Sequence, residues 1–199
     1  MGCLKNFINA IILTLAIIGF ISIGGKDLVV KYIGPYFKHS QESILEKAKK
    51  VGDFSGINEE FEIERAAGIM GYNAVVAEHK ASGQKLVVVD SGDKQLLTPE
   101  DLTSDAAEQK IKTAISKFKN QSASVEDFKV TKKGTMQAFG KTAPYVKFEA
   151  KVSKLPFGDI GGIISVVENS NGEQRVLLAA NENSKYSQLI SDEFFKQIK

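Results

Sequence analysis

Residues 163–180 read IISVVENSNGEQRVLLAA. Two runs rich in Ile, Val and Leu, 163–168 and 174–180, flank Ser170-Asn171-Gly172. Asn and Gly accept the left-handed backbone that a tight reversal needs, so this is the clearest β-hairpin signal in the chain. Both runs read as strands of one antiparallel pair. The fold therefore has to supply neighbouring strands and covering helices.

Further strands lie on both sides of this hairpin. Phe61-Glu62-Ile63-Glu64 alternates apolar and charged residues, as a half-exposed strand does. Residues 72–79 and 85–89 read as two strands joined at Ala81-Ser82-Gly83, and Leu86-Val87-Val88-Val89 suggests a central strand. The small, glycine-rich stretch 66–71 reads as a bend or bulge. Residues 128–131 and 145–152 read as strands on either side of a loop with Gly134, Gly140 and Pro144. Gly161-Gly162, after Pro156-Phe157-Gly158-Asp159, reads as a bend at a strand entry. The apolar run 154–164 fits a core-entry segment better than a recognition loop.

Thr98-Pro99-Glu100-Asp101 is a helix start: a capping threonine, proline at the first helical position, then acids. One long helix to about residue 120 is predicted, with Ala107, Ile111, Ala114, Ile115 and Phe118 on one face. A closing helix over 185–198 directs Tyr186, Leu189, Ile190, Phe194 and Ile198 inward. Three strands, a long helix, four strands and a helix make an α+β domain with a mainly antiparallel sheet covered by helices. In element order, and in the ending RVLLAANENSKYSQLISDEFFKQIK (175–199), residues 59–199 resemble the PsbP/Mog1-type α/β/α sandwich. The resemblance implies that layering, and it assigns no catalytic residue, because this fold hosts unrelated functions.

The N-terminal head has a different character. Residues 7–25 read FINAIILTLAIIGFISIGG, with no charge between Lys5 and Lys26. About twenty helical residues span a bilayer core, so the run fits an N-terminal transmembrane anchor. A signal peptide cut after Gly24, with Ser22 at the −3 position, is the second reading, and a buried core helix is the third. Short N-terminal tails stay inside and long following domains are translocated, which places the domain on the extracytoplasmic side, a bacterial cell surface or periplasm. Residues 26–52 then form a helical juxtamembrane neck. Gly34-Pro35 interrupts it, and Ser40 caps a second helix carrying Ile44, Leu45, Ala48 and Val51. Lys47, Lys49 and Lys50 near its end complement the helix dipole, and with the rest of the neck they form a candidate lipid-binding patch. The domain proper is placed at 53–199.

The 199 residues carry 26 Lys+Arg against 24 Asp+Glu, and this balance excludes the basic excess that nucleic acid demands. The single cysteine, Cys3, precedes the apolar run, so no intrachain disulfide or cysteine metal cluster can form. Neither a lipoprotein nor a myristoylation pattern fits it, the latter because Asn6 stands where Ser or Thr is wanted. No nucleophile elbow or phosphate loop occurs. Asp90-Ser91-Gly92-Asp93 lacks the spacing of a calcium loop, and Asn120-Gln121-Ser122 is a formal sequon only. The remaining chemical candidates are Glu78, His79 and Asp90, a possible acid–base or metal group, though one histidine with two carboxylates is a poor zinc set. No metal or cofactor is expected. The expected function is a non-catalytic, membrane-tethered binding or assembly module, with the membrane and an unspecified protein as partners. A membrane-bound or secreted enzyme centred on Glu78, His79 and Asp90 is the alternative.

Overall fold

The computed structural model describes residues 41–69, 72–90, 92, 97–116, 125–152, 159–169 and 172–199. The apolar head at 7–25, the first part of the neck, Asp93 and the Asn120 sequon lie outside these residues. Seven strands form one antiparallel sheet: β1 (Phe61–Ile69), β2 (Tyr72–His79), β3 (Gln84–Asp90), β4 (Val125–Ala138), β5 (Lys141–Val152), β6 (Asp159–Glu168) and β7 (Gln174–Glu182). Their spatial order is β1-β2-β3-β7-β6-β5-β4, which puts β7 in the middle. The helices are α1 (Gln41–Ala48), α2 (Pro99–Thr103), α3 (Ala107–Ser116) and α4 (Gln188–Gln197). Among the described residues, no helix is long and apolar enough to cross a membrane.

The hairpin read at 163–180 is the β6–β7 pair, with Gly172 in the left-handed region at φ 77°. All seven residues of β3 are buried, as its unalternating pattern requires. Successive side chains of β3 and β7 serve two separate cores. On face one, Val87, Val89, Val176 and Leu178 pack against Leu102 of α2 and Ala107 and Ile111 of α3. On face two, Leu86, Val88, Leu177 and Ala179 pack with Ala48 of α1 and Phe194 and Phe195 of α4. Sheet between helices is thus an α/β/α arrangement.

Four expectations are corrected. The helix predicted to run unbroken from 98 is two helices, although its capping box is present: Thr98 Oγ1 accepts from Asp101 N at 3.2 Å, and Asp101 Oδ2 accepts from Thr98 N at 3.0 Å. The break comes at Ser104, whose backbone is extended (ψ 151°) and whose hydroxyl donates back to the Asp101 carbonyl at 3.0 Å. The loop predicted around Gly134 and Pro144 is strand, and β4 and β5 meet at a turn through Phe139 and Gly140. Gly134 is there for closeness: a Cβ would stand 2.7 Å from Tyr145 Oη. Gly161 and Gly162 lie within β6, also as close-approach positions, whereas the bend read at 66–71 is where β1 returns as β2, with Ile69 paired to Tyr72. Leu189, predicted to face inward, is 80% exposed in the first turn of α4.

The second half of the predicted neck belongs to the domain. Ala48 and Val51 are each 1% exposed and join the face-two core with Phe54 and Phe61. A boundary after Gly52 would cut through this packing, so α1 is part of the folded unit.

Candidate functional site

The three candidate residues do not form a site. Glu78 and His79 are neighbours on a strand and so point to opposite faces. Glu78 lies on face one, directly across from Lys85. His79 lies on face two, its ring 5.3 Å from that of Phe61, a face-two core residue. Asp90 shares face two but stands at the other end of the hairpin, since His79 pairs with Gln84 and Asp90 with Asn73. Six residues of strand put it about 20 Å from the His79 end. Among the described residues, no group of three His, Cys, Asp or Glu side chains is placed to hold a metal ion.

His79 does meet a hydroxyl. Its Nδ1 lies 2.8 Å from Ser82 Oγ and accepts from Ser82 N at 3.3 Å. Ser82 Oγ accepts from Gln84 N at 3.2 Å, which leaves its proton directed at the ring. The contact closes the β2–β3 turn. Gly83 N is committed to the His79 carbonyl at 2.8 Å, and Ser82 N to the ring. Both amides are thus committed within the turn, which the pair caps.

Two buried cations organise the polar part of the sheet instead. Lys85, with 9% of its side chain exposed, pairs with Glu64 at 2.8 Å and with Glu78 on face one. Arg175 begins the central strand β7 with 2% of its side chain exposed. Its Nη1 donates to Asp90 Oδ1 at 2.9 Å, its Nη2 to Glu173 Oε2 at 2.7 Å and its Nε to the carbonyl of Val51 at 2.9 Å. Asp90 also accepts from Asn73 Nδ2 at 3.2 Å and from Gly92 N at 2.8 Å. Glu173 is held below the usual carboxylate range, first by the Asn169 side chain and then by the guanidinium. A buried guanidinium is tolerable only with its donors met, and each edge of this one has an acceptor.

The Arg175 junction ties the incoming chain to the middle of the sheet. Beside it, Gly52 lies under the Phe139 ring, and a Cβ there would stand 2.7 Å from Phe139 Cε1. Asp53 and Lys199 exchange backbone hydrogen bonds at 2.7 and 3.1 Å. Both cations are neutralised and enclosed, so the arrangement fixes geometry and offers no reactive group. Neither cation stands out as a site in the sequence. The available signal is a lone basic residue entering a wholly apolar strand, in QRVLLAA and QKLVVVD.

At the opposite end of face two, Gln84 is fully buried and holds α4 in place. Its Nε2 donates to the Ser187 carbonyl and to Ser191 Oγ, both at 3.0 Å, and its Oε1 accepts from Ser187 N at 2.9 Å. Tyr186 OH lies 3.2 Å from the same Ser191 hydroxyl, and burial raises the phenol above its ordinary range.

No family model matches the chain, and no curated protein matches it. Among solved structures it is similar to the solution structure of cyanobacterial PsbP (CyanoP) from Synechocystis sp. PCC 6803. The two share 12% sequence identity at a TM-score of 0.41, over 75% of this chain and 98% of that one. PsbP is the family whose fold the element order resembles, and at this identity and TM-score the likeness carries nothing further.

Proposed function

We propose that the protein is a non-catalytic binding or assembly module, tethered through residues 7–25 to a membrane and carrying its domain on the extracytoplasmic side. The observation that carries this reading is the Arg175 junction. The domain's most buried charge is spent on holding the segment that arrives from the N-terminal side. Only residues 26–40 lie between α1 and the apolar run. Even fully extended, that stretch reaches about 50 Å, so the domain stays near the surface that holds the anchor. The separation of Glu78, His79 and Asp90 leaves the enzyme alternative without an assembled centre among the described residues.

The sheet edges bear on how a partner could engage. β1 carries Glu62 and Glu64 and a bulge. β4 carries Lys129, Lys132 and Lys133 and two register shifts. Charges and bulges of this kind block strand addition, so a partner would engage loops or a face instead of extending the sheet. The test is cross-linking in intact membranes followed by recovery of the full-length protein. A defined cross-linked partner supports the module, and turnover of a substrate with no stable partner contradicts it.

A further inference from the structure

We propose that residues 41–53 form a strap that can release from face two while the seven-stranded sheet remains folded. The strap is α1 and the turn that follows it. Its apolar contribution is small: Ala48 and Val51 are buried and Ile44 partly so, while Leu45 is 46% exposed and Glu46, Lys49 and Lys50 face solvent. It takes no part in the ladders, because β1 pairs with β2 and β2 with β3. It is held at three points by distant parts of the chain: Arg175 at Val51, Phe139 over Gly52, and Lys199 at Asp53.

Two features make release a local event. First, Arg175 keeps Asp90 and Glu173 when Val51 leaves, so no ion pair is orphaned and only Nε has to be rehydrated. Second, Phe139 is held in the left-handed region at φ 51°, the one non-glycine residue described there. That conformation is set by the two-residue β4–β5 turn, in which Gly140 is also left-handed at φ 69° and Ala138 pairs with Lys141, so it stays in place when the strap leaves. Gly52 lies against the Phe139 ring without a side chain of its own, so the strap leaves this turn without breaking a side-chain interlock. Release uncovers the part of the face-two side of β1 and β2 on which α1 packs, and couples that surface to whatever acts on the residues before Gln41. This holds whether or not residues 7–25 enter a bilayer.

Amide hydrogen exchange of the full-length protein in detergent micelles tests it. The amides of Lys49, Val51 and Gly52, bonded within the strap, should exchange about 100-fold faster than those of Val88 and Leu177 in the sheet. Gly52→Ala, which presses on Phe139 without touching Arg175, should speed the strap amides about 10-fold further and leave the sheet amides unchanged. Arg175→Lys, which keeps a charge beside Asp90 but cannot also reach the Val51 carbonyl, should likewise speed the strap amides. Equal exchange of strap and sheet amides in the unaltered protein, or equal acceleration of both by Gly52→Ala, would show one cooperative unit and overturn the proposal.

Discussion

Arg175 donates from Nε to the main-chain carbonyl of Val51 at 2.9 Å, across 124 positions of sequence. The same guanidinium binds Asp90 and Glu173, so the start of the central strand, the end of β3 and the entering chain meet at one buried cation. Arg175→Ala should cost about 3–5 kcal/mol, because it leaves Asp90 uncompensated in the interior. Adding Asp90→Asn should recover part of that loss. Urea unfolding of the two single variants and the double variant reads the coupling directly, and additive losses would mean that the pair does not interact.

The strands of this fold are legible where both faces are buried. Leu86-Val87-Val88-Val89 and the 163–180 hairpin carry no polar side, and short apolar runs bounded by turn residues are what a doubly covered strand requires. The charged edge strand is harder to read: β4 looks like a loop because Lys132, Lys133 and Gly134 break its apolar pattern, although all three pair with β5. The break after Thr103 is hidden because the apolar spacing continues through Ala107 and Ile111. The candidate site fails for a geometric reason, since adjacency in a strand, as in Glu78-His79, means opposite faces. The Arg175 junction joins parts of the chain whose proximity depends on the strand order, and no local pattern encodes that.

The two neighbouring glycines of β6 should differ in tolerance. A Cβ on Gly162 would overlap the Ala179 carbonyl and meet the Phe148 ring at 2.7 Å, and strand backbone cannot retreat. A Cβ on Gly161 would meet the Asn183 side chain and Tyr186 Cβ, in the loop before α4. Gly162→Ala should therefore cost about 3 kcal/mol and Gly161→Ala about 1 kcal/mol, read as thermal unfolding shifts. The reverse order would contradict the packing described.

Acid should weaken the start of α2. The Lys110 ammonium, 2.5 Å away, and the Thr98 backbone amide hold the Asp101 carboxyl below its ordinary range. A folded pKa below the unfolded one gives a contribution that is complete above about pH 4 and is lost as pH falls through the folded value. Asp101→Asn should lower stability at neutral pH by about 0.5–2 kcal/mol and flatten the acid limb of a stability–pH profile.

Alkali should act through Tyr186. Burial raises its phenol above the unfolded value, so its contribution is complete below about pH 10 and is lost as pH rises from there towards the folded value. Tyr186→Phe removes the ionisable group and the contact with Ser191, and should flatten the alkaline limb while costing about 1 kcal/mol at neutral pH. An unchanged alkaline limb would place the titrating group elsewhere.

Membrane attachment is the central claim, and alkaline carbonate extraction of cell membranes tests it most directly, with the full-length protein compared with a chain lacking residues 1–25. The full-length protein should stay in the membrane pellet with its N-terminus intact. The shortened chain should be soluble and unfold at the same temperature, since α1 and the whole described core are retained. A full-length protein released by carbonate, or one recovered as a soluble chain beginning at Gly25, would contradict it.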